Sequence, residues 1–188
     1  MKSKNIIAQL EVVFKGRAIT NCISFEKSKL FYIDDNKLAG KCLILNNLTF
    51  SKEDEQKYLK IINENENKIA LWAIDGCFIS SGQSQKRCDC IFFDKYDFCF
   101  AEFKLNATSL NPKTVKKNRE DALSQLKSTI QLVKNGIKEK GHTFLGYNLE
   151  AYLCTPINYP NKNDPNAAVE FLEDYGVKLY EQNFKKCK

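Results

Sequence analysis

Three charged residues in the stretch RCDCIFFDKYDFCFAEFKL are spaced as a site would require. Asp89 stands in one apolar run, and Glu102 and Lys104 stand two apart in the next. Side chains alternate across a strand, so Glu102 and Lys104 share one face. Cys99, Ala101, Phe103 and Leu105 take the other face, where they can enter a core. If Phe93 pairs with Phe98 across the DKYD connection, Asp89 falls directly opposite Glu102. Two adjacent carboxylates are hard oxygen ligands suited to Mg²⁺ or Mn²⁺, and without a cation they repel. A lysine beside them can orient or deprotonate a water, or steady charge on a phosphate. Such a trio suits metal-assisted hydrolysis.

The elements that would hold this trio can be read from the flanking pattern. KIALWAID (68–75), RCDCIFF (87–93) and FCFAEFKL (98–105) read as strands, the last two forming a hairpin with a four-residue connection. Their continuous apolar character suits central strands buried on both faces, where a charge requires a partner, a metal or a cleft. From about Thr114, Val115, Arg119, Ala122, Leu126, Ile130, Val133 and Ile137 recur every three or four residues, which predicts an amphipathic helix ending near Asn135-Gly136. GYNLEAYLCT (146–155) is a further strand stopped by Pro156, and the tail is helical to about Tyr175. Upstream, Ser51 as N-cap with Glu53, Asp54 and Glu55 in the first turn predicts a helix over 52–66. IIAQLEVVF, AITNCISF, KLFYI and KCLIL make residues 1–50 a β-rich N-terminal region before a core over 51–188. A single compact domain overall stays open.

The pattern D-(x12)-E-x-K across a hairpin resembles the PD-(D/E)xK nuclease superfamily, whose restriction-endonuclease-like core runs helix, three mostly antiparallel strands, helix, strand. Residues 52–155 read in that order, although Cys88 stands where the family often has proline. The resemblance implies an α/β fold with a mixed central sheet flanked by helices. It implies Asp89 and Glu102 as ligands of Mg²⁺ or Mn²⁺ and Lys104 as the catalytic lysine. Gln125 on the following helix, beside Ala122 and Thr129, matches a glutamine that several branches add. Branches with a glutamate on the first helix point to Glu64 or Glu66. The implied activity is phosphodiester hydrolysis, of DNA rather than RNA, in a restriction, repair or defence setting. The window from Lys113 to Lys140 holds eight basic and three acidic residues, most of the chain's net +6, so Lys113, Lys116, Lys117 and Arg119 are candidates for phosphate contact. An inactive nucleic-acid-binding or assembly module on the same fold is the alternative, as is an unrelated α/β protein whose acidic pair is structural. Asp75 reads more readily as a turn residue than as a third acidic ligand.

Composition narrows the remaining classes. The 188 residues are 43% hydrophobic and 28% charged, ordinary globular usage without an apolar run long enough to span a membrane. No signal-peptide pattern opens the chain, so a cytoplasmic protein with no membrane partner is expected. The eight cysteines (22, 42, 77, 88, 90, 99, 154 and 187) include no C-x-x-C pair, and His142 is the sole histidine, so zinc spacing is absent. The cysteines are expected as reduced, buried thiols. Phosphate-binding P-loop, dinucleotide-binding and H-E-x-x-H motifs are missing, and no nucleophile signature accompanies His142. A homodimer or larger complex is left open.

Overall fold

The computed structural model describes residues 6–15, 19–46, 48–79, 85–160 and 164–188. In chain order these form α1 (Ile6–Val13), β1 (Ile23–Glu26), β2 (Leu30–Asn36), β3 (Lys41–Leu45), the single-turn α2 (Lys52–Glu55), β4 (Leu59–Ile62), β5 (Ile69–Ala73), β6 (Cys90–Phe93), β7 (Asp97–Phe103), α3 (Pro112–Glu139), β8 (Asn148–Cys154), α4 (Pro165–Tyr175), β9 (Lys178–Tyr180) and β10 (Phe184–Lys186). A six-stranded mixed sheet has the order β1-β5-β6-β7-β8-β9, and a four-stranded mixed sheet the order β10-β4-β2-β3. β5, β6 and β7 pair antiparallel, while β7, β8 and β9 run parallel. The protein is mixed α/β.

Strand alternation divides the core into two layers. Trp72, Ile91, Phe93, Phe98 and Phe100 face the helices, meeting the α3 stripe of Ala122, Leu126, Ile130 and Val133. Leu71, Cys90, Phe92, Cys99, Ala101 and Phe103 face the second sheet and pack on Phe31, Ile33, Leu59 and Ile61. The large sheet is thus covered on both sides, which explains the near-continuous apolar runs of β5 to β7.

Several local expectations give way to tertiary context. The run IIAQLEVVF is helical, not β: Ile6 and Leu10, one turn apart, are its buried pair, and α1 packs on α3. That packing also explains why α3 continues past Gly136. A Cβ there would lie 2.6 Å from Val13 Cγ1, so the glycine permits close helix approach instead of ending the helix. The expected helix over 52–66 is one turn long. Ser51 Oγ does accept the Asp54 N–H at 3.1 Å, yet the chain then extends into β4, where Leu59 and Ile61 enter the inter-sheet core with a period of two. The tail adds β9 and β10 beyond α4, with β10 parallel to β4. Residues of the 1–50 region join every layer: α1 lies with the helices, β1 in the large sheet, and β2 and β3 in the small one.

The cysteine expectation is corrected at one pair. Cys22 and Cys77 form a disulfide, with Cα atoms 5.7 Å apart. The reason is pairing: β1 lies antiparallel to β5 with Ile23 opposite Trp72, which brings the start of β1 beside the turn after β5. The other six cysteines are free and buried. Among the described residues no helix is long and apolar enough to cross a membrane.

Candidate active site

The β6–β7 hairpin has the register its residues suggest. Phe93 pairs with Phe98 and Cys90 with Ala101, and the ladder stops there; Asp89 stands in the bend just before β6, its side chain close enough to Glu102 to interact with it. Asp94 sets the turn, its Oδ1 accepting the N–H groups of Tyr96 (2.7 Å) and Asp97 (2.8 Å). At the other end, the Asp89 carbonyl accepts the N–H groups of Ile74 and Asp75, and its Oδ2 accepts the Phe103 N–H at 2.6 Å. The acidic residue is therefore held from β5, β6 and β7 together.

Glu102 is 1% exposed. Lys104 Nζ lies 2.6 Å from its Oε1 as an ion pair, but neither oxygen of Glu102 accepts a well-directed hydrogen bond among the described residues. Lys104 Nζ donates to Gln125 Oε1 at 3.0 Å, and Gln125 Nε2 donates to the Arg87 carbonyl at 3.0 Å. The glutamine of α3 thus orients the lysine against the carboxylate. Arg87 in turn holds Asp75 at 2.7 to 2.8 Å. Asp75, Gln85, Lys86, Arg87, Lys104, Asp121 and Gln125 line a cleft of about 360 Å³, which Lys104 and Gln125 reach but the buried Asp89 and Glu102 do not line.

Burial governs the electrostatics. Glu102 is pushed well above the usual carboxylate range, first by desolvation and then by the Asp89 charge. Asp89 is pushed up to about 7 by burial and by Asp35, against the pull of the Phe103 N–H and Lys104. Burial pulls Lys104 down, but the charges of Glu102 and Asp89 outweigh it and leave the ammonium favoured. Asp35, from β2, is itself raised by burial and by the neighbouring Asp34 and Asp75.

Among the described residues no group of three or more His, Cys, Asp or Glu side chains could hold a metal ion. The pair still fits a divalent cation. Mg²⁺ is commonly bound by one or two carboxylates, with waters and substrate phosphate completing its shell. Two interacting buried carboxylates, one of them without a well-directed hydrogen-bond donor, match that donor set.

The remaining candidates divide. Lys113, Lys116 and Lys117 are exposed. Lys117, Asp121 and Gln125 recur at four-residue steps, so Lys117 shares the flank of α3 whose Asp121 and Gln125 line the cleft, one turn nearer the helix N-terminus. Lys116 lies 3.8 Å from Glu120. Arg119, expected at phosphate, has its guanidinium engaged by Asp164 and Glu181, tying α3 to the start of α4 and to the segment after β9. Apolar-stripe position explains this: Arg119 points along the core side of α3, where α4 packs. Glu64 and Glu66 lie in the turn after β4 and not on a helix, and Glu64 pairs with Lys186 at 3.0 Å. His142 lines a different cavity, at the far end of α3.

Sequence reasoning missed Asp35 and the Arg87–Asp75 pair. It also missed a buried ion cluster in which Lys185 of β10 meets Asp97 and Glu150, each at 2.7 Å. All depend on contacts between elements distant in sequence, and no local pattern marks them. Comparison of the chain with known protein families, with curated proteins and with solved structures finds no match.

Proposed function

We propose that the protein is a divalent-metal-dependent nuclease of the PD-(D/E)xK kind, built on a restriction-endonuclease-like core and acting on nucleic acid, DNA rather than RNA. One observation carries this reading: two interacting buried carboxylates, Asp89 and Glu102, with Lys104 fixed beside Glu102 by Gln125. The succession β5, β6, β7, α3, β8 supports it, being three antiparallel strands, a helix and a parallel strand in the expected order. The first helix of that order, expected over 52–66, is only the single turn α2; α1 would have to take its place, with β1 and the small-sheet strands β2 to β4 between it and β5.

A cation held by Asp89 and Glu102 would supply Lewis-acid activation of water and of the scissile phosphate. Everything else belongs to the chain's own side chains. Lys104, kept as an ammonium by its two acidic neighbours, acts as a donor to phosphate oxygen and not as a base. Gln125 removes rotational freedom from that ammonium before substrate arrives, so the ordering cost is met in folding. Lys113 and Lys117, on the open end of α3, hold the backbone that leads into the cleft.

The test is a cleavage panel of single-stranded, duplex and branched DNA together with RNA, in Mg²⁺ or Mn²⁺, comparing wild type with Lys104→Ala. Cleavage by wild type that is abolished in the variant supports the reading. Binding without cleavage on every substrate would leave an inactive module on this fold.

A further inference from the structure

A chain of contacts runs from the disulfide to the candidate catalytic lysine. Cys77 sits in the turn between Asp75 and Ile79, and Cys22 closes the short helical turn (Ile19–Cys22) that leads into the edge strand β1. That turn is tightly made. Gly76 N–H bonds to Ile79 O, Ile79 N–H bonds to Ile74 O, and a Cβ on Gly76 would fall 1.6 Å from the Gly40 carbonyl. The turn presents Asp75 to Arg87, the Arg87 carbonyl takes the Gln125 amide, and Gln125 holds Lys104. Both bridged cysteines are half-buried, whereas the six free cysteines are buried. The half-buried bridge is therefore within reach of a small reductant.

We propose that the Cys22–Cys77 bond is a redox-sensitive clasp that sets the turn at 74–79 and, through Asp75 and Arg87, the position of Lys104. The proposal rests on the nuclease reading for its effect on activity, though not for its effect on the turn. In the reducing step, a dithiol attacks one sulfur of the bridge through its thiolate, and its second thiol resolves the mixed disulfide. The protein gains two electrons and two protons as two thiols, and the dithiol leaves as its own disulfide. Glutathione disulfide reverses the exchange. The bridged form is the form with an ordered site.

The experiment compares full-length oxidised protein, protein reduced with dithiothreitol, and the Cys22→Ser/Cys77→Ser double variant. Thiol-reactive dye on the native protein should find two additional thiols after reduction and lose them after glutathione disulfide. Amide exchange of Ile74, Asp75 and Gly76 should accelerate in the reduced protein and in the variant, while the amides of α3 keep their protection. Cleavage should fall by roughly two- to thirtyfold, the span of couplings carried through packed side chains, and the variant should ignore the reductant. Unchanged exchange at 74–76 would overturn the proposal, as would global unfolding on reduction, which would make the bond a plain staple. Altered exchange with no cleavage in any form would uphold the clasp and reject the nuclease.

Discussion

Replacing Asp89 with asparagine should make the metal-free protein more stable while removing its chemistry. Asp89 is 9% exposed, and its carboxyl is pushed up to about 7 by burial and then by Asp35, from an ordinary 3.8. A carboxyl that holds its proton more tightly folded than unfolded favours unfolding as pH rises. The penalty is absent below about pH 4 and complete above about pH 7. A gap of about three pH units, at about 1.4 kcal/mol each, amounts to about 4 kcal/mol at pH 8. At pH 5 only the part of the gap above the ordinary value counts, about 2 kcal/mol. Asparagine keeps an oxygen for the Phe103 N–H and carries no charge, so Asp89→Asn should gain these amounts over wild type. Urea unfolding in chelator at pH 5 and pH 8 measures both. Mg²⁺ should narrow the difference by stabilising only the wild type. A variant no more stable than wild type at pH 8, or a gain independent of pH, would refute the electrostatic account of the site.

Other side chains give further measurable outcomes. Gln125→Ala should lower cleavage less than Lys104→Ala, because it frees the ammonium without removing it, and steady-state kinetics of the two variants separates them. Lys113→Ala/Lys117→Ala should flatten the log–log salt dependence of DNA affinity by roughly one to two units, about one for each phosphate no longer neutralised, as read by fluorescence anisotropy. The Cys22→Ser/Cys77→Ser variant should lose about 4 kcal/mol in denaturant unfolding, the entropy of a loop closed over 55 residues. Lys185→Met should cost about 3 to 5 kcal/mol in the same assay, because it leaves the Asp97 and Glu150 carboxylates buried together without their cation.

The site was more legible than the scaffold around it, for physical reasons. Hairpin register depends on a few adjacent residues, so Phe93, Phe98 and the intervening DKYD sufficed to set the pairing of β6 with β7 up to Cys90 and Ala101. Gln125 could be placed by helical spacing alone, its neighbours Ala122 and Thr129 marking the flank that faces the sheet. The segment IIAQLEVVF is ambiguous because its apolar residues satisfy periods of both two and four, and only α3 decides between them. Ser51 caps a true helical start, but capping acts on one turn, and the pull of Leu59 and Ile61 into the inter-sheet core governs the residues beyond it. Arg119 illustrates the converse. Its basic charge suggested phosphate, and its place on the packed side of α3 gave it Asp164 and Glu181. Disulfide partners are set by which strands pair, and the β1–β5 pairing that joins Cys22 to Cys77 links segments 55 residues apart in sequence.

The central claim is that Asp89 and Glu102 together hold the cation that makes the protein a nuclease. Its most direct measurement is DNA cleavage by wild type, Asp89→Asn and Glu102→Gln, each with Mg²⁺ and with chelator, after unfolding curves have shown all three to be folded. Cleavage by wild type in Mg²⁺ alone, and none by either variant, is the predicted result. Cleavage that persists in chelator, or that survives in both variants, would contradict it.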